Sequence, residues 1–154
     1  MIVVTGAHAE QSSEELSGLS VREALNDDWE TGMASSVRAG MKALAEESAE
    51  ASAVVLMLCD QPYVTSETVA ALIAAHRAEG SRVVASQYGG DFGVPALFAR
   101  PLFAELARLE GRGGAKQVIK RHASEAQLLP FPEGEIDLDT PEDFSRLQAR
   151  RLRR

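Results

Sequence analysis

The stretch Ala53-Val54-Val55-Leu56-Met57-Leu58-Cys59-Asp60-Gln61-Pro62 decides the fold class. Its uninterrupted apolar run allows both faces of a strand to be buried, which predicts a central strand of a parallel sheet covered by helices. Pro62 would stop further ladder pairing. Asp60 would then lie in the crevice beyond the carboxyl end of the strand, where open α/β sheets bind ligands. From this stretch alone, a ligand role for Asp60 and a role as a turn cap are equally well supported.

The composition is that of an ordinary globular protein with a single domain over residues 1–154. The chain has 45% hydrophobic and 25% charged residues and a formal net charge of −7. This charge argues against nonspecific binding to nucleic acid. Basic residues gather only at Arg146 and residues 150–154, a pattern typical of the cationic end of a helix.

The single cysteine, Cys59, excludes an internal disulfide and indicates a reducing compartment. Its position after an apolar run predicts a buried thiol that fills the core rather than a nucleophile. The three histidines do not have the spacing of zinc ligands. No apolar run is long enough to span a bilayer, and no signal peptide precedes the first strand. These observations predict a cytoplasmic protein with no membrane partner.

Predicted strands alternate with predicted helices along the chain, which indicates an α/β fold with a mostly parallel sheet. Strands are expected near residues 1–5, 21–25, 53–58, 82–86 and 127–131. Thr65 or Ser66 is expected to begin a helix that Gly80 ends.

Two glycine-containing segments are candidate ligand contacts. Ser35 and Ser36 follow Gly32 at the start of a predicted helix, where hydroxyls either cap backbone N–H groups or face a ligand. Residues 87–95 form a glycine-rich loop that either approaches a ligand closely or is a flexible hairpin.

The acidic segment 135–143 changes from strand-like alternation to a helix. Thr140 is expected as the N-cap, with Pro141 at the first helical position and Asp143 as the reciprocal capping partner. Asp137 and Asp139 are not used by this cap. Two spare carboxylates on one face repel each other, so a nearby cation or donor would account for them.

Five segments in order resemble the molybdenum cofactor cytidylyltransferase branch of the nucleotidyltransferase superfamily. Three are full motifs and two are shorter segments: Trp29-x-x-Gly32-Met33-Ala34-Ser35-Ser36, Cys59-Asp60-Gln61-Pro62, Asp137-x-Asp139-Thr140-Pro141-Glu142-Asp143, Gly93-Val94-Pro95-Ala96-Leu97-Phe98 and Leu109-x-Gly111-x-x-Gly114-Ala115-Lys116. Each motif is weak alone. Their order across nearly the whole chain makes the match specific.

The resemblance implies a three-layer α/β/α nucleotide-diphosphate-sugar transferase-like fold. It also implies transfer of a nucleotidyl group from CTP, or from GTP in the sister branch, to molybdopterin. Asp60 and Asp139 match the catalytic positions, and they would bind Mg²⁺ or Mn²⁺ with Asp137 as a partner. The resemblance places Ser35 and Ser36 near the nucleotide base. It places Gly93, Val94 and Pro95 near the acceptor.

The chain departs from the family pattern at the front. Relatives open with a strand and a glycine-rich Leu-Ala-Ala-Gly-x-Ser-x-Arg-Met-Gly loop that holds the triphosphate, whereas residues 1–7 resemble the family's second strand. We therefore expect an N-terminally truncated domain that is inactive, with an exposed sheet edge that favours homo-oligomers. The alternative is a noncatalytic domain that binds an acceptor or a partner.

Overall fold

The computed structural model describes residues 1–48 and 50–151, so the end of the predicted basic tail lies outside the described residues. Strands and helices alternate, as the sequence predicts. The elements are β1 (Ile2–Thr5), α1 (Ala9–Leu16), β2 (Arg22–Leu25), α2 (Met33–Glu47), β3 (Ala53–Leu56), α3 (Ser66–Glu79), β4 (Val83–Tyr88), β5 (Asp91–Ala99), α4 (Phe103–Leu106), α5 (Lys116–Arg121), β6 (Gln127–Pro130) and α6 (Pro141–Arg151). Short 3₁₀ turns occur at Trp29–Thr31, Arg100–Leu102 and Pro132–Glu135.

The described strands form two sheets. Strands β1 and β2 pair in parallel, and the second sheet has the order β3-β5-β4-β6. In the second sheet β5 is antiparallel to both β3 and β4, while β4 and β6 are parallel. Three of its strands therefore share one direction and β5 alone is reversed. The prediction of an α/β fold with a mostly parallel sheet is confirmed.

The prediction that β3 is a central strand is wrong for the four-stranded sheet. Strand β3 lies at its edge, pairs only with β5 among the described strands, and has partly buried side chains. The central strands are β4 and β5, where Val83, Val84 and Phe98 have no exposed surface. An apolar run reports that both faces are covered, but it does not report strand order. Cys59 is exposed, so the prediction of a core thiol is also wrong.

Helices cover both faces of the four-stranded sheet, which gives the predicted α/β/α layers. On one face, Ala34 and Met41 of α2 and Val118 of α5 pack against Val83 and Phe98. On the other face, the side chain of Leu72 from α3 packs against Val84 and Leu97. Neighbouring residues of a strand thus point into different apolar clusters, as the pleat requires.

Helix α2 also packs against the two-stranded sheet. A Cβ atom placed on Gly40 would lie 3.2 Å from Cγ2 of Val4, so this face of α2 approaches β1 closely. The same helix buries Met41 in the cluster of the larger sheet. Helix α2 therefore connects the two sheets. Within the described chain, the helices are too short or too polar to cross a membrane.

The glycine-rich segment 87–95 is a tight hairpin rather than an open loop. Gly89 and Gly90 have φ values of 58° and 73°, which fits the two-residue turn that joins twisted antiparallel strands. Gly93, Val94 and Pro95 consequently lie inside β5, with a register shift opposite Ser86. The prediction of a loop at these three residues is wrong, and the hairpin alternative is confirmed.

The helix caps follow the sequence signals. Thr65 and Thr68 form a reciprocal capping box at the start of α3, and Gly80 ends that helix in the left-handed conformation. At α6, the backbone N–H of Asp143 donates to Oγ1 of Thr140 at 3.2 Å. The N–H of Thr140 donates to Oδ2 of Asp143 at 3.1 Å. Both caps are confirmed because they depend only on local chemistry.

Gly32 is the glycine whose replacement we expect to damage the fold most clearly. Its φ of 111° is unfavourable for other residues, and an added Cβ would lie 2.8 Å from Cα of Arg112. We predict that Gly32→Ala lowers the free energy of unfolding by about 1–3 kcal/mol from backbone strain, with a further loss from the steric clash. Chemical denaturation of the purified variant measures this change.

Gly18→Ala is the matched control for this prediction. Gly18 also has a positive φ, of 85°, but its added Cβ would meet no atom within 4 Å. The difference between the two variants therefore isolates the clash with the backbone of Arg112. Equal destabilisation by both substitutions would show that the close approach of these two segments does not constrain the fold.

Candidate active site

Asp60 lies in the turn that follows β3, and its backbone fixes the acidic segment beside it. The N–H of Leu138 donates to the carbonyl of Asp60 at 2.9 Å. The side chain of Asp60 is partly buried, and its Oδ1 is buried without a hydrogen-bond partner among the described residues. A buried acceptor without a donor is costly, so this oxygen is prepared to accept a proton donor or a cation.

Asp137 and Asp139 flank Leu138 and are therefore brought to the same side as Asp60. They lie in an irregular segment between the Pro132–Glu135 turn and α6, so the predicted strand-like alternation is wrong. Burial raises the pKa of Asp137, and the negative charges of Asp60 and Asp139 raise it further. The charges of Asp60 and Asp139 thus act on Asp137, and this environment disfavours the ionised form of Asp137.

The carboxylates fit a metal that takes most of its ligands from substrate and water. No set of three His, Cys, Asp or Glu side chains within residues 1–48 and 50–151 has the arrangement of a metal cage. Mg²⁺ usually binds one or two carboxylates together with substrate phosphates and water. The unpartnered oxygen of Asp60 and the mutual repulsion around Asp137 match that requirement.

The predicted nucleotide residues lie at the start of α2, at the carboxyl end of β2. Gly32, not a serine, is the N-cap residue, and it makes no side-chain cap. The Ser35 hydroxyl donates to the Gly32 carbonyl at 2.8 Å and is buried. The Ser35 hydroxyl therefore mainly stabilises the conformation of the loop at Gly32. Ser36 is less buried and is the better placed of the two for a ligand.

Asn26 organises both serines and was missed in the sequence. Its Nδ2 donates to Oγ of Ser35 at 2.8 Å and to Oγ of Ser36 at 3.0 Å. Its Oδ1 accepts the N–H of Asp28 at 3.1 Å, and the residue is only 4% exposed. The available signal was a carboxamide directly after a strand and shortly before a glycine-serine segment.

An open cavity of about 660 Å³ adjoins this loop. It is lined by the residues Asp28, Thr31, Arg38, Arg108, Leu109, Glu110 and Gly111. Arg38, one turn after Ser35 on α2, donates from Nη1 to the carbonyl of Leu109 at 2.6 Å. This bond fixes the loop after α4 against α2.

The predicted acceptor residues form a rigid part of β5. The carbonyl of Val94 accepts from the Tyr88 hydroxyl at 3.0 Å and from Nε2 of Gln61 at 3.2 Å. The carbonyl of Pro95 accepts the hydroxyl of Ser86 at 2.7 Å. A Cβ on Gly93 would lie 2.3 Å from the Tyr88 hydroxyl oxygen, which explains why a glycine is needed there.

Tyr88 and Gln61 were both missed as site residues, although Gln61 follows the predicted aspartate directly. The Tyr88 ring meets Phe131 edge to face, with ring centroids 6.5 Å apart. Burial raises the pKa of the Tyr88 hydroxyl, so it remains a proton donor at neutral pH. A second cavity of about 310 Å³ has Tyr63, Asp137 and Arg146 in its wall.

A mixed sheet covered by helices on both faces, with Asp60 in the turn after β3, is an α/β/α arrangement consistent with a nucleotidyltransferase fold. Residues 1–126 match the family described as the MobA-like NTP transferase domain. The chain belongs to this family of nucleotidyl-transferring enzymes. The predicted family resemblance and fold are therefore confirmed.

Individual relatives agree with this assignment. The purine catabolism protein PucB of Bacillus subtilis (strain 168) is 33% identical over 120 residues, which cover 76% of this chain and 56% of PucB. The chain thus spans little more than half the length of that relative. A crystal structure of a Mycobacterium tuberculosis Rv0371c homologue from Mycobacterium sp. strain JC1 has a TM-score of 0.79 and 31% identity, over 99% of this chain and 75% of that one.

A further similar structure is Rv0371c from Mycobacterium tuberculosis H37Rv in complex with manganese. It has a TM-score of 0.72 and 30% identity, over 95% of this chain and 76% of that one. A divalent cation is therefore present in a structure of a protein that shares this fold.

Asp137 gives a test of the shared electrostatic environment. Because its pKa is raised in the folded state, ionised Asp137 destabilises the fold at neutral pH. We predict that Asp137→Asn raises the melting temperature of the metal-free protein. The gain should grow as the pH rises through the raised pKa and vanish below the ordinary aspartate value of about 3.9. Melting curves from pH 4 to 8 measure it.

Asp27→Asn serves as the control because Asp27 is an exposed carboxylate in the turn after β2. It removes the same charge without changing the carboxylate site. A gain of the same size in both variants would mean that net charge, and not the repulsion among Asp60, Asp137 and Asp139, causes the effect.

Proposed function

We propose that this protein transfers a nucleotidyl group from CTP or GTP to the phosphate of a molybdopterin-type acceptor in molybdenum cofactor biosynthesis. In this reaction an acceptor phosphate oxygen bonds to the α-phosphorus, the bond from that phosphorus to the bridging oxygen breaks, and pyrophosphate leaves. The acceptor phosphate is already ionised at neutral pH, so no strong base is needed. Catalysis then depends on positioning and on neutralisation of charge.

The observation that carries this proposal is the pairing of the Asp60 turn with the acidic segment. The 2.9 Å bond from the N–H of Leu138 to the carbonyl of Asp60 joins the two segments that carry the predicted catalytic residues Asp60 and Asp139. The charges of both residues act on Asp137, which supports a shared site. In the proposal these residues hold Mg²⁺ or Mn²⁺. The metal supplies positive charge for the triphosphate. The manganese complex of Rv0371c supports the use of a divalent cation by a protein of this fold.

The remaining proposed roles are supported by hydrogen bonds at the start of α2 and within β5. In the proposal Ser36, held by Asn26, faces the nucleotide base, and Ser35 supports that loop. In the proposal Gly93, Val94 and Pro95 contact the acceptor, and the hydrogen bonds to the carbonyls of Val94 and Pro95 support this role because they hold the segment in place. A cytoplasmic location is part of the proposal, since a molybdopterin acceptor and one unpaired cysteine both suit a reducing compartment.

A divalent cation should stabilise the folded protein through Asp60. At a concentration one hundred times the dissociation constant, binding adds about 2.7 kcal/mol, or roughly 5–10 °C in melting temperature for a domain of this size. We predict that Mn²⁺ gives such a shift with the wild-type protein and that Asp60→Asn removes most of it. Differential scanning fluorimetry with and without Mn²⁺ measures both. Asp27→Asn is the control and should retain the full shift.

An equal response to Mn²⁺ in the wild type and in Asp60→Asn would exclude Asp60 as a ligand. The metal would then bind elsewhere, and the assignment of Asp60 to a catalytic metal site would be wrong.

We further propose that these 154 residues alone do not complete the reaction. The sequence contains no counterpart of the glycine-rich loop that holds the triphosphate through backbone donors, and each such donor contributes about 3–4 kcal/mol to the transition state. We predict weak or undetectable binding of CTP and GTP in calorimetry and no release of pyrophosphate with molybdopterin. Fusion of a family-like N-terminal strand and loop should restore nucleotide binding and the release of pyrophosphate.

Two outcomes would change the proposal. Turnover by the 154 residues alone would mean that another segment holds the triphosphate. If the fused protein binds Mn²⁺ and molybdopterin but releases no pyrophosphate, the alternative of a noncatalytic acceptor-binding domain is correct.

A further inference from the structure

Gln61 is a buried polar residue between the carboxylate site and the acceptor segment. Its side chain is only 6% exposed. Its Nε2 donates to the carbonyl of Val94 at 3.2 Å and to the carbonyl of Gly134 at 3.1 Å. One carboxamide therefore joins the turn after β3 to two segments that are distant in the sequence.

The two carbonyls belong to the two sides of the proposed reaction. Val94 lies in the proposed acceptor segment of β5, whereas Gly134 lies in the 3₁₀ turn that leads to Asp137. The peptide of Asp60, directly before Gln61, receives the N–H of Leu138. The Asp60–Gln61 turn is thus bonded once to the acidic segment, once to the 3₁₀ turn that precedes it and once to β5.

The acceptor oxygen of the same carboxamide supports a positioning role. Oε1 of Gln61 is buried with no partner in the described part of the chain, as is Oδ1 of the adjacent Asp60. An unpaired buried oxygen is destabilising, so the carboxamide is a poor choice for stability alone. The Nε2 group of Gln61 holds two backbone carbonyls, and an apolar side chain of similar size could not make these bonds.

Tyr88 completes the connection on the acceptor side. Its hydroxyl donates to the carbonyl of Val94 that also receives Gln61, so the position of this peptide is fixed by two donors. An acceptor that displaced Val94 would therefore also displace Gln61. Because Gln61 shares a peptide bond with Asp60, the carboxylate site would move as well.

We infer that Gln61 is a positioning residue that couples the acceptor segment of β5 to the Asp60 metal site. This inference rests on the proposed function, because that function assigns a metal to the Asp60 site and an acceptor to the segment of β5. Gln61 binds no metal itself. Its removal should nevertheless weaken metal binding, since the Asp60 turn loses its alignment with the segment that carries Asp137 and Asp139.

The test replaces the carboxamide with an unbranched apolar side chain of similar length. Gln61→Met should raise the Mn²⁺ dissociation constant about tenfold in an electron paramagnetic resonance titration of the 154-residue protein. It should also speed hydrogen exchange at the amide of Leu138. The matched control is Gln127→Met, because Oε1 of Gln127 is likewise buried without a described partner, while its Nε2 reaches only Glu79, at 3.1 Å. The control should change neither quantity.

Tyr88→Phe keeps the test decisive if Gln61→Met fails to fold. It removes one hydroxyl from Val94 and leaves Gln61 and every carboxylate in place. The coupling predicts that it weakens Mn²⁺ binding about threefold, although Tyr88 is not a ligand.

The outcomes separate this inference from the proposed function. Unchanged Mn²⁺ affinity and unchanged Leu138 exchange in a folded Gln61→Met protein would overturn the inference and leave the metal site standing. If the wild-type protein binds no Mn²⁺, the proposed function fails. The role of Gln61 in alignment is then decided by the exchange of Leu138 alone.

Discussion

Pairing of β4 with β5 is the constraint on which the rest of the structure depends. These two strands contribute fully buried side chains to both apolar clusters, so each helical layer packs against the same hairpin. The Gly89–Gly90 turn sets their register, and the register shift at Ser86 lets Tyr88 lie over Gly93. Because interiors are close-packed, a change in this hairpin would displace both helical layers together with the proposed acceptor segment.

The carboxylate site combines stable backbone bonds with unfavourable side-chain electrostatics. The Leu138–Asp60 bond and the Gln61 carboxamide hold the turn in place, while burial and neighbouring charges raise the pKa of Asp137. An arrangement in which the backbone is satisfied but the side chains are not is typical of a site prepared for a ligand. Under the proposed function, a cation would also offset the repulsion between these carboxylates and a negatively charged triphosphate.

Features set by local chemistry were predictable from sequence, and those set by tertiary packing were not. The cap formed by Thr140 and Asp143 was predicted correctly because both partners lie within one turn. The central position of β3 was not, because strand order depends on segments far apart in the chain. Asp60 could be singled out from the sequence because it follows an apolar run. Asn26 had only a weak signal, its position directly after a strand, and Tyr88 had none, because the role of each depends on the tertiary contacts of its side chain.

The single tryptophan has a consequence for spectroscopy. Trp29 packs its Cβ against Gly6 beside the proposed nucleotide loop and is 44% exposed. The two tyrosines, in contrast, lie at the carboxylate and acceptor side, Tyr63 in a cavity wall with Asp137 and Tyr88 against Val94. The two halves of the site therefore carry different natural fluorophores. Fluorescence excited at the red edge of the protein's absorption comes from Trp29 and reports the proposed nucleotide side alone. Energy transfer from tyrosine to Trp29 reports the separation of the two halves.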